Sequence, residues 1–417
     1  MENYTLVLLI MALMIGASGL ADKIRIPVPV LLLLVGIGVG FVPAMPGIQL
    51  NPEIIMLLFL PPLLYDAAFN ISFKEFRTNI NTISALAVGL VFLTTAGIAV
   101  IAHYLISGIT WPLAFVLGAI LSATDAVAAM GITKGLGLPH KTLTILEGES
   151  LVNDASALVA YRVAIAAVTG IAFVWWQASL QFLVVLGGGF VVGMVIAKLL
   201  SYVLRYFRSN AMVVAGLMLL MPFVTYLLAE TAHVSGVIAV VVLGLGMSRL
   251  SREKFPEKLK EQSRHFWEVI IFLLNGLIFL LIGLQFPLVL KQMAGAQVWP
   301  FIGYAVVITM VTILIRLIRV YLQQLNLQKA FQGKRKISEE ALFDSGTSLI
   351  ITWSGMRGIV SLAIAISLPV TLENGSAFPM RNEIIFLTIA VVLLSLLGQG
   401  LTLPWIVKKL GKKNVIK

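Results

Sequence analysis

Residues 142–160 read TLTILEGESLVNDASALVA, and the central segment 147–154, EGESLVND, sets three carboxylates, a serine and an asparagine between two apolar runs. A helix built from it would carry charge into the hydrocarbon of a bilayer, where one charged side chain costs at least about 2.5–3.5 kcal/mol. Charged residues at such a depth pair with one another or line a water-filled cavity. The stretch therefore predicts a polar functional site inside a membrane.

The composition supports a membrane location. Of the 417 residues, 59% are hydrophobic and 12% are charged, whereas a soluble domain has about 45–50% apolar and about 25% charged residues. Apolar runs of about 18 residues or more recur along the chain and predict an integral membrane protein. The chain has no cysteine, which excludes disulfides and thiolate metal sites. No nucleotide or cofactor motif is visible, so ion gradients are the expected energy source.

Thirteen segments have the length and apolarity of membrane spans, with Pro, Gly and polar clusters between them. The predicted spans are 4–20, 28–43, 52–71, 82–107, 111–133, 143–169, 181–204, 211–231, 233–248, 268–290, 297–322, 347–371 and 383–407. Thirteen spans can be divided into six, one and six, so that the two groups of six run with inverted topology, as in many secondary transporters. This division rests on the number of spans alone, and other divisions of thirteen are possible.

Basic residues predict the orientation, because cytoplasmic loops are enriched in Lys and Arg. Alternate loops carry most of these residues, while the opposite loops carry only Lys291 and Arg381. This places the N-terminus outside and the C-terminus in the cytoplasm. The net charge of +11 then reflects topology and attraction to anionic lipids, and nucleic-acid binding is not needed to explain it. Arg316 and Arg319, near the end of the eleventh span, are expected to snorkel to lipid headgroups.

Four charged residues are predicted to lie near the middle of the bilayer: Asp66, Asp125, Asp154 and Arg357. Each is about 15–21 Å from the surface at which its span enters, in a hydrocarbon core about 30 Å thick. With Glu149, the carboxylates outnumber the arginine. The excess carboxylates predict a site for a cation or for protons.

Two further stretches place small and polar residues in the middle of a span: SATDAVAAMG (122–131) and WSGMRGIVS (353–361). Each falls in the fifth span of its group of six, and interrupted helices at corresponding positions of two repeats are a pointer to a transport site. Both spans are therefore expected to be broken. Asp125 is expected to cap a broken helix end.

The helical wheel separates the polar residues of the opening stretch. Ser150 and Asp154 are four residues apart and share a face, whereas Glu149 lies roughly 140° around the helix from Asp154. We therefore assign Asp154 and Ser150 to the ion and Glu149 to Arg357. Asn153 can orient neighbouring groups but cannot carry a proton.

Four motifs in order resemble those of the monovalent cation:proton antiporters of the first family, the sodium–proton exchangers. They are FLPPLLYDAAF (59–69), SATDAVA (122–128), EGESLVNDA (147–155) and GMRGIVSLA (355–363). The resemblance implies an all-α fold of thirteen transmembrane helices in two inverted six-helix repeats, with discontinuous crossing helices, and a homodimer. It also implies four segments: an interface domain (1–72 and 211–291), a core ion-transport domain (78–170 and 297–407), a linker helix (181–208) and a short cytoplasmic tail (408–417).

The resemblance also implies roles for single residues. Asp154 would bind the cation or the proton, with Ser150, Thr124 and Asp66 as further ligands of the transported Na⁺. Glu149 would pair with the arginine of the GMRG stretch, Arg357. Asn153 and Asp125 would support the site.

These features lead to the expectation of an antiporter that exchanges Na⁺ or Li⁺ for H⁺ without a cofactor and without enzymatic activity. One central acid predicts one cation per proton and electroneutral exchange, in a bacterial plasma membrane. A K⁺/H⁺ antiporter of the same fold is the nearest alternative. A cation channel would need a continuous pore, and an intramembrane aspartyl protease would need a Gly-x-Gly-Asp stretch that neither Asp125 nor Asp154 provides.

Overall fold

The computed structural model describes residues 3–24, 27–42, 51–71, 73–133, 140–169, 175–207, 210–293, 298–332, 342, 344–372 and 375–414. Within these ranges the protein is α-helical, and its only strand-type pairing is one isolated bridge between Thr371 and Ala377. The all-α prediction is confirmed.

Seventeen α-helices follow one another along the described chain. They are α1 (Asn3–Ile24), α2 (Val28–Gly40), α3 (Pro52–Asn70), α4 (Phe73–Thr78), α5 (Ile80–Ser84), a π-helical turn (Ala85–Gly89), α6 (Leu90–Leu105), α7 (Trp111–Ser122), α8 (Ala126–Thr133), α9 (His140–Val168), α10 (Trp175–Phe207), α11 (Ala211–Thr231), α12 (Gly236–Lys254), α13 (Glu257–Gln292), α14 (Val298–Gln332), α15 (Ser345–Trp353), α16 (Ile359–Ile366) and α17 (Arg381–Asn414).

Each of the thirteen predicted spans coincides with a helix or a succession of helices. Seven helical stretches of the described chain are long and apolar enough to cross a membrane, and four shorter apolar helices accompany them. Two helices exceed the predicted spans by ten residues or more at one end. The helix α13 begins at Glu257 rather than at 268 and takes in charged residues read as a loop, and α14 ends at Gln332 rather than at 322.

The fifth span is broken, as predicted. Its first half, α7, ends at Ser122, and the backbone of Ala123 is extended, with φ −64° and ψ 141°. The Ser122 hydroxyl donates to the Ala119 carbonyl at 2.8 Å. Short polar side chains that bond to nearby backbone groups compete with the helical hydrogen bonds, which explains why the helix stops in the SATD stretch.

The twelfth span is broken as well, between Trp353 and Ile359. Close packing explains both glycines of this break. A Cβ atom on Gly355 would overlap the side chain of Arg316, and a Cβ atom on Gly358 would overlap the carboxylate of Asp125. Glycine is the residue that lets a backbone approach another group this closely.

The chain divides into two compact units. The first unit comprises residues 1–50, 78–170 and 275–417, and the second comprises residues 51–77 and 171–274. Both breaks belong to the first unit. The half-helices beside them, α7 and α16, are buried along nearly their entire length. A helix that is apolar and buried all round lies in the middle of its unit. The division into interface, core and linker domains stays a prediction.

Candidate functional site

The two breaks meet through hydrogen bonds. The backbone N–H of Asp125, in the break between α7 and α8, donates to the carbonyl of Met356 at 2.8 Å. The side chain of Asp125 accepts a hydrogen bond from the backbone N–H of Ile359, at the start of α16, at 3.3 Å. The predicted crossing of the two discontinuous helices is confirmed. Asp125 caps a broken helix end, as expected, and the helix that it caps belongs to the other break.

The helix α9 closes one side of this crossing. The hydroxyl of Ser150 donates to the carbonyl of Thr124 at 2.9 Å and accepts from the backbone N–H of Ala126 at 3.3 Å. Ser150 therefore satisfies one backbone group inside the first break and one at the start of α8. Ser150 and Thr124 are thus in direct contact, while their role as cation ligands stays a prediction.

The predicted supporting residue Asn153 continues the network. Its Nδ2 donates to Oγ1 of Thr124 at 2.6 Å, and this hydroxyl donates to Oε1 of Glu149 at 3.3 Å. The Oδ1 atom of Asn153 is buried and has no hydrogen-bond partner in the described part of the chain. Asn153 thus orients the hydroxyl of Thr124.

The partner predicted for Glu149 is wrong. Glu149 forms a two-pronged ion pair with Arg316, whose Nη2 lies 2.8 Å from Oε2 and whose Nη1 contacts Oε1. Both side chains are only 2% exposed. The Nε atom of Arg316 donates to the carbonyl of Ile351 at 3.0 Å. A helical wheel shows to which side of α9 the side chain of Glu149 points, but it does not show that α14 is the helix on that side.

The expectation that Arg316 snorkels to lipid headgroups is also wrong. Because α14 runs to Gln332, Arg316 lies within the helix and not at its end. A signal for this was present in the sequence. The polar residues Thr309, Thr312, Arg316 and Gln323 recur at helical spacing on one face, and all of them are buried. A polar stripe with this period predicts a face turned toward other polar groups.

Arg357 occupies the second break and has a different environment. It is 3% exposed, and its Nη1 donates to the carbonyl of Gly355 at 3.2 Å. Its backbone N–H donates to the hydroxyl of Ser395 on α17 at 3.0 Å. In the described part of the chain, no carboxylate forms an ion pair with Arg357. It lies within electrostatic range of Arg316 and Glu149 and supports the cluster from the break.

Asp154 is the carboxylate without a partner. It is 9% exposed, and among the described residues no hydrogen bond or ion pair reaches it. Its charged neighbour is Asp125. A buried carboxylate beside a second one is costly to keep ionised, because burial and like charge both disfavour it. Asp154 is thus the group of this site most in need of a positive charge.

Asp66 belongs to the second unit. It lies on α3, is partly buried, and its Oδ1 accepts from Nδ2 of Asn70 at 3.1 Å. Its role as a ligand of the ion stays a prediction. In the described ranges of the chain, no group of three or more His, Asp or Glu side chains could hold a resident metal ion.

The comparison with protein families decides the classification. The family described as sodium/hydrogen exchanger, transmembrane, matches residues 8–409. The chain belongs to the sodium/hydrogen exchanger family. Proteins of this family are transporters and not enzymes, which sets the aspartyl-protease alternative aside.

Relatives and a solved structure agree with this family. An antiporter of sodium, potassium, lithium and rubidium against H⁺ from Bacillus pumilus (strain SAFR-032) is 36% identical over 428 residues, covering 100% of this chain and 63% of that protein. The chain thus spans less than two thirds of that relative. An uncharacterised sodium/proton exchanger from Mycobacterium tuberculosis (strain ATCC 25618 / H37Rv) is 35% identical over 407 residues, covering 97% and 73% of the two chains. A solved sodium proton antiporter from Methanocaldococcus jannaschii matches with a TM-score of 0.69 at 20% identity, covering 96% and 97%, and shows the shared fold.

Proposed function

We propose that this protein is a secondary antiporter that exchanges Na⁺ or Li⁺ for H⁺ across a membrane, with Asp154 as the shared binding group. The observation that carries the proposal is the composition of the charge cluster at the crossing. The charge cluster consists of five side chains: Asp125, Glu149, Asp154, Arg316 and Arg357. It has three carboxylates and two arginines, so one positive charge neutralises it.

The single missing charge supports electroneutral exchange. The ion pair of Glu149 and Arg316 leaves Asp154 as the carboxylate that has neither an ion pair nor a hydrogen bond within the described chain. A proton or one monovalent cation at Asp154 would balance the cluster equally well. An unbalanced charge is costly inside a bilayer, so the loaded forms should cross more readily than the empty one. One cation then exchanges for one proton.

The chemistry of the surrounding atoms suits a hard cation. Na⁺ prefers oxygen ligands, by the same reasoning as for other hard ions. The carboxylate of Asp154, the hydroxyls of Ser150 and Thr124 and the carbonyls freed at the breaks supply oxygen only. Both hydroxyls are already held in place by hydrogen bonds, the one of Ser150 to the carbonyl of Thr124 and the one of Thr124 to Glu149. A cation would therefore meet ligands that are already positioned. The same oxygen atoms can bind Li⁺, and the carboxylate of Asp154 can bind H⁺.

Potassium is a second candidate substrate, because the name of the Bacillus pumilus relative includes potassium and rubidium beside sodium and lithium. A site that accepts all four ions has no strict size selection. The transport assay therefore has to include each of these cations.

The assembly and orientation complete the proposal. The asymmetry of basic residues supports an outside N-terminus and a cytoplasmic C-terminus. The family membership supports a homodimer in a bacterial plasma membrane, with residues 1–72 and 211–291 forming the interface domain and 78–170 and 297–407 the transport domain. Anionic lipids are the expected surroundings of its basic loops.

Transport in proteoliposomes tests the proposal. Vesicles with an acidic, dye-loaded interior receive external Na⁺, Li⁺, K⁺ or choline, with the membrane potential clamped at several values. Na⁺ or Li⁺ should make the interior more alkaline at a rate independent of potential, and Asp154→Asn should abolish the response. Asp344→Asn is the matched control, because Asp344 is an exposed helix cap whose function asparagine preserves. No proton movement with any cation, or wild-type behaviour of Asp154→Asn, would refute the proposal.

A further inference from the structure

The break in the twelfth span is bound to α17 by a chain of three hydrogen bonds. The backbone N–H of Arg357 donates to Oγ of Ser395 at 3.0 Å. The hydroxyl of Ser395 donates to Oε1 of Gln399 at 2.7 Å. Nε2 of Gln399 then donates to the carbonyl of Trp353 at 3.1 Å. The chain begins and ends on the backbone of the broken span.

The two ends of this chain are the backbone groups of one missing helical hydrogen bond. In an uninterrupted α-helix the N–H of residue i bonds to the carbonyl of residue i−4, which here would join Arg357 to Trp353. The break separates the two groups, and both lie in a buried region. Buried backbone groups need partners, and the side chains of Ser395 and Gln399 supply them in place of the direct bond.

The geometry of α17 makes this replacement specific. Ser395 and Gln399 are four residues apart and lie on the same face of the helix. They are 2% and 3% exposed, so their polar atoms are costly unless they are bonded. A hydroxyl can accept and donate at once, and a primary amide offers an acceptor and a donor. In the three successive bonds each donor therefore meets an acceptor, from the N–H of Arg357 to the carbonyl of Trp353.

We propose that Ser395 and Gln399 are positioning residues, which hold the break in the twelfth span open and thereby fix the charge of Arg357 at the crossing. The guanidinium of Arg357 bonds back to the carbonyl of Gly355, within the same break. The shape of the break thus sets the place of the charge. The consequence for transport rests on the proposed function, whereas the hydrogen-bond chain itself does not.

Two variants interrupt the chain of hydrogen bonds at different points. Ser395→Ala deletes its middle, and Gln399→Leu deletes the donor to Trp353 with little change in volume. Ser395→Thr restores the hydroxyl. Thr388→Val is the matched control, because Thr388 is also buried on α17 but its hydroxyl, among the described residues, bonds only to the Ile384 carbonyl of its own helix.

Hydrogen–deuterium exchange of the purified protein tests the chain without reference to transport. The peptide covering 353–359 should exchange about tenfold faster in Ser395→Ala and Gln399→Leu, since each loses a buried hydrogen bond. Ser395→Thr and Thr388→Val should exchange like the wild type in this peptide. Unchanged exchange in both deletion variants would overturn the proposal.

Transport kinetics in proteoliposomes test the positioning role. The maximal rate should fall about tenfold in Ser395→Ala, while the cation concentration at half-maximal rate stays unchanged because neither residue touches the ion. Ser395→Thr should recover the rate. A wild-type rate in Ser395→Ala, or no rescue by threonine, would overturn the role. If wild-type protein itself moves no protons, the proposed function fails. The hydrogen–deuterium exchange experiment then still tests the chain of hydrogen bonds.

Discussion

Replacing Arg316 should destabilise the protein far more than replacing Arg357, because only Arg316 pairs with Glu149. Arg316→Met would leave the carboxylate of Glu149 charged and unpaired at 2% exposure. Removing one partner of a buried pair costs about 3–5 kcal/mol. The variant also loses the hydrogen bond to the carbonyl of Ile351, which contributes about 1 kcal/mol. Arg357→Met removes no ion-pair partner and should have a smaller effect.

A double-mutant cycle in detergent measures this difference. The melting temperature Tm of purified wild type, Arg316→Met, Glu149→Leu and the double variant is followed by intrinsic fluorescence. The single variants should lose roughly 5 °C each, because the entropy of unfolding grows with chain length and a given loss of stability shifts Tm less in a chain of 417 residues. The double variant should recover much of that loss, because a buried pair replaced on both sides by apolar residues is often neutral. The expected coupling energy is about 1.5 kcal/mol or more.

The parallel cycle with Glu149→Leu and Arg357→Met is the control. Its coupling energy should be small, since no hydrogen bond joins the two side chains among the described contacts. A larger coupling of Glu149 to Arg357 than to Arg316 would refute the pairing and restore the assignment made from the helical wheel.

Three further outcomes follow from the helix ends. Asp125→Ala should cost about 1 kcal/mol by removing the cap on Ile359, and Asp125→Asn should cost less because the amide oxygen still accepts, as read from Tm. Gly358→Ala should cost about 1–3 kcal/mol through the overlap of its Cβ with Asp125, visible as a lower Tm and a lower yield of folded protein. The hydrogen bonds from Thr347 hold the pKa of Asp344 below its usual range. The ionised Asp344 therefore stabilises the folded protein fully above the usual range, and this stabilisation is lost as the pH falls through the lowered pKa. Asp344→Asn should weaken this acid dependence in a series of Tm measurements against pH.

The breaks were predictable because their cause is local. Ser122, Thr124 and Asp125 are residue types that compete for backbone hydrogen bonds, as Ser122 does at the carbonyl of Ala119. Gly355 and Gly358 have no side chain at the points where Arg316 and Asp125 pass. These inferences need only one helix and its own residues.

The partner of Glu149 could not be obtained in this way. A wheel gives the direction of a side chain on α9, but the helix that lies in that direction depends on the packing of the unit. The predicted end of the eleventh span, at 322, also lies ten residues before the end of α14, and for this reason Arg316 was wrongly predicted to lie near the membrane surface. The roles of Ser395 and Gln399 were missed because their partners are backbone groups 38 to 46 residues away, and a backbone group has no sequence signature.

The hydrogen bonds of Asp125 have a mechanical consequence. Its N–H is bonded to the carbonyl of Met356 inside the second break, and its carboxylate is bonded to the N–H of Ile359, where α16 begins. A hinge motion at the second break would have to stretch one of these bonds or displace the first break as well. Bending one broken helix alone would therefore cost about 1 kcal/mol for each hydrogen bond that it breaks. A displacement that moves both pairs of half-helices together keeps both bonds and is the less costly motion.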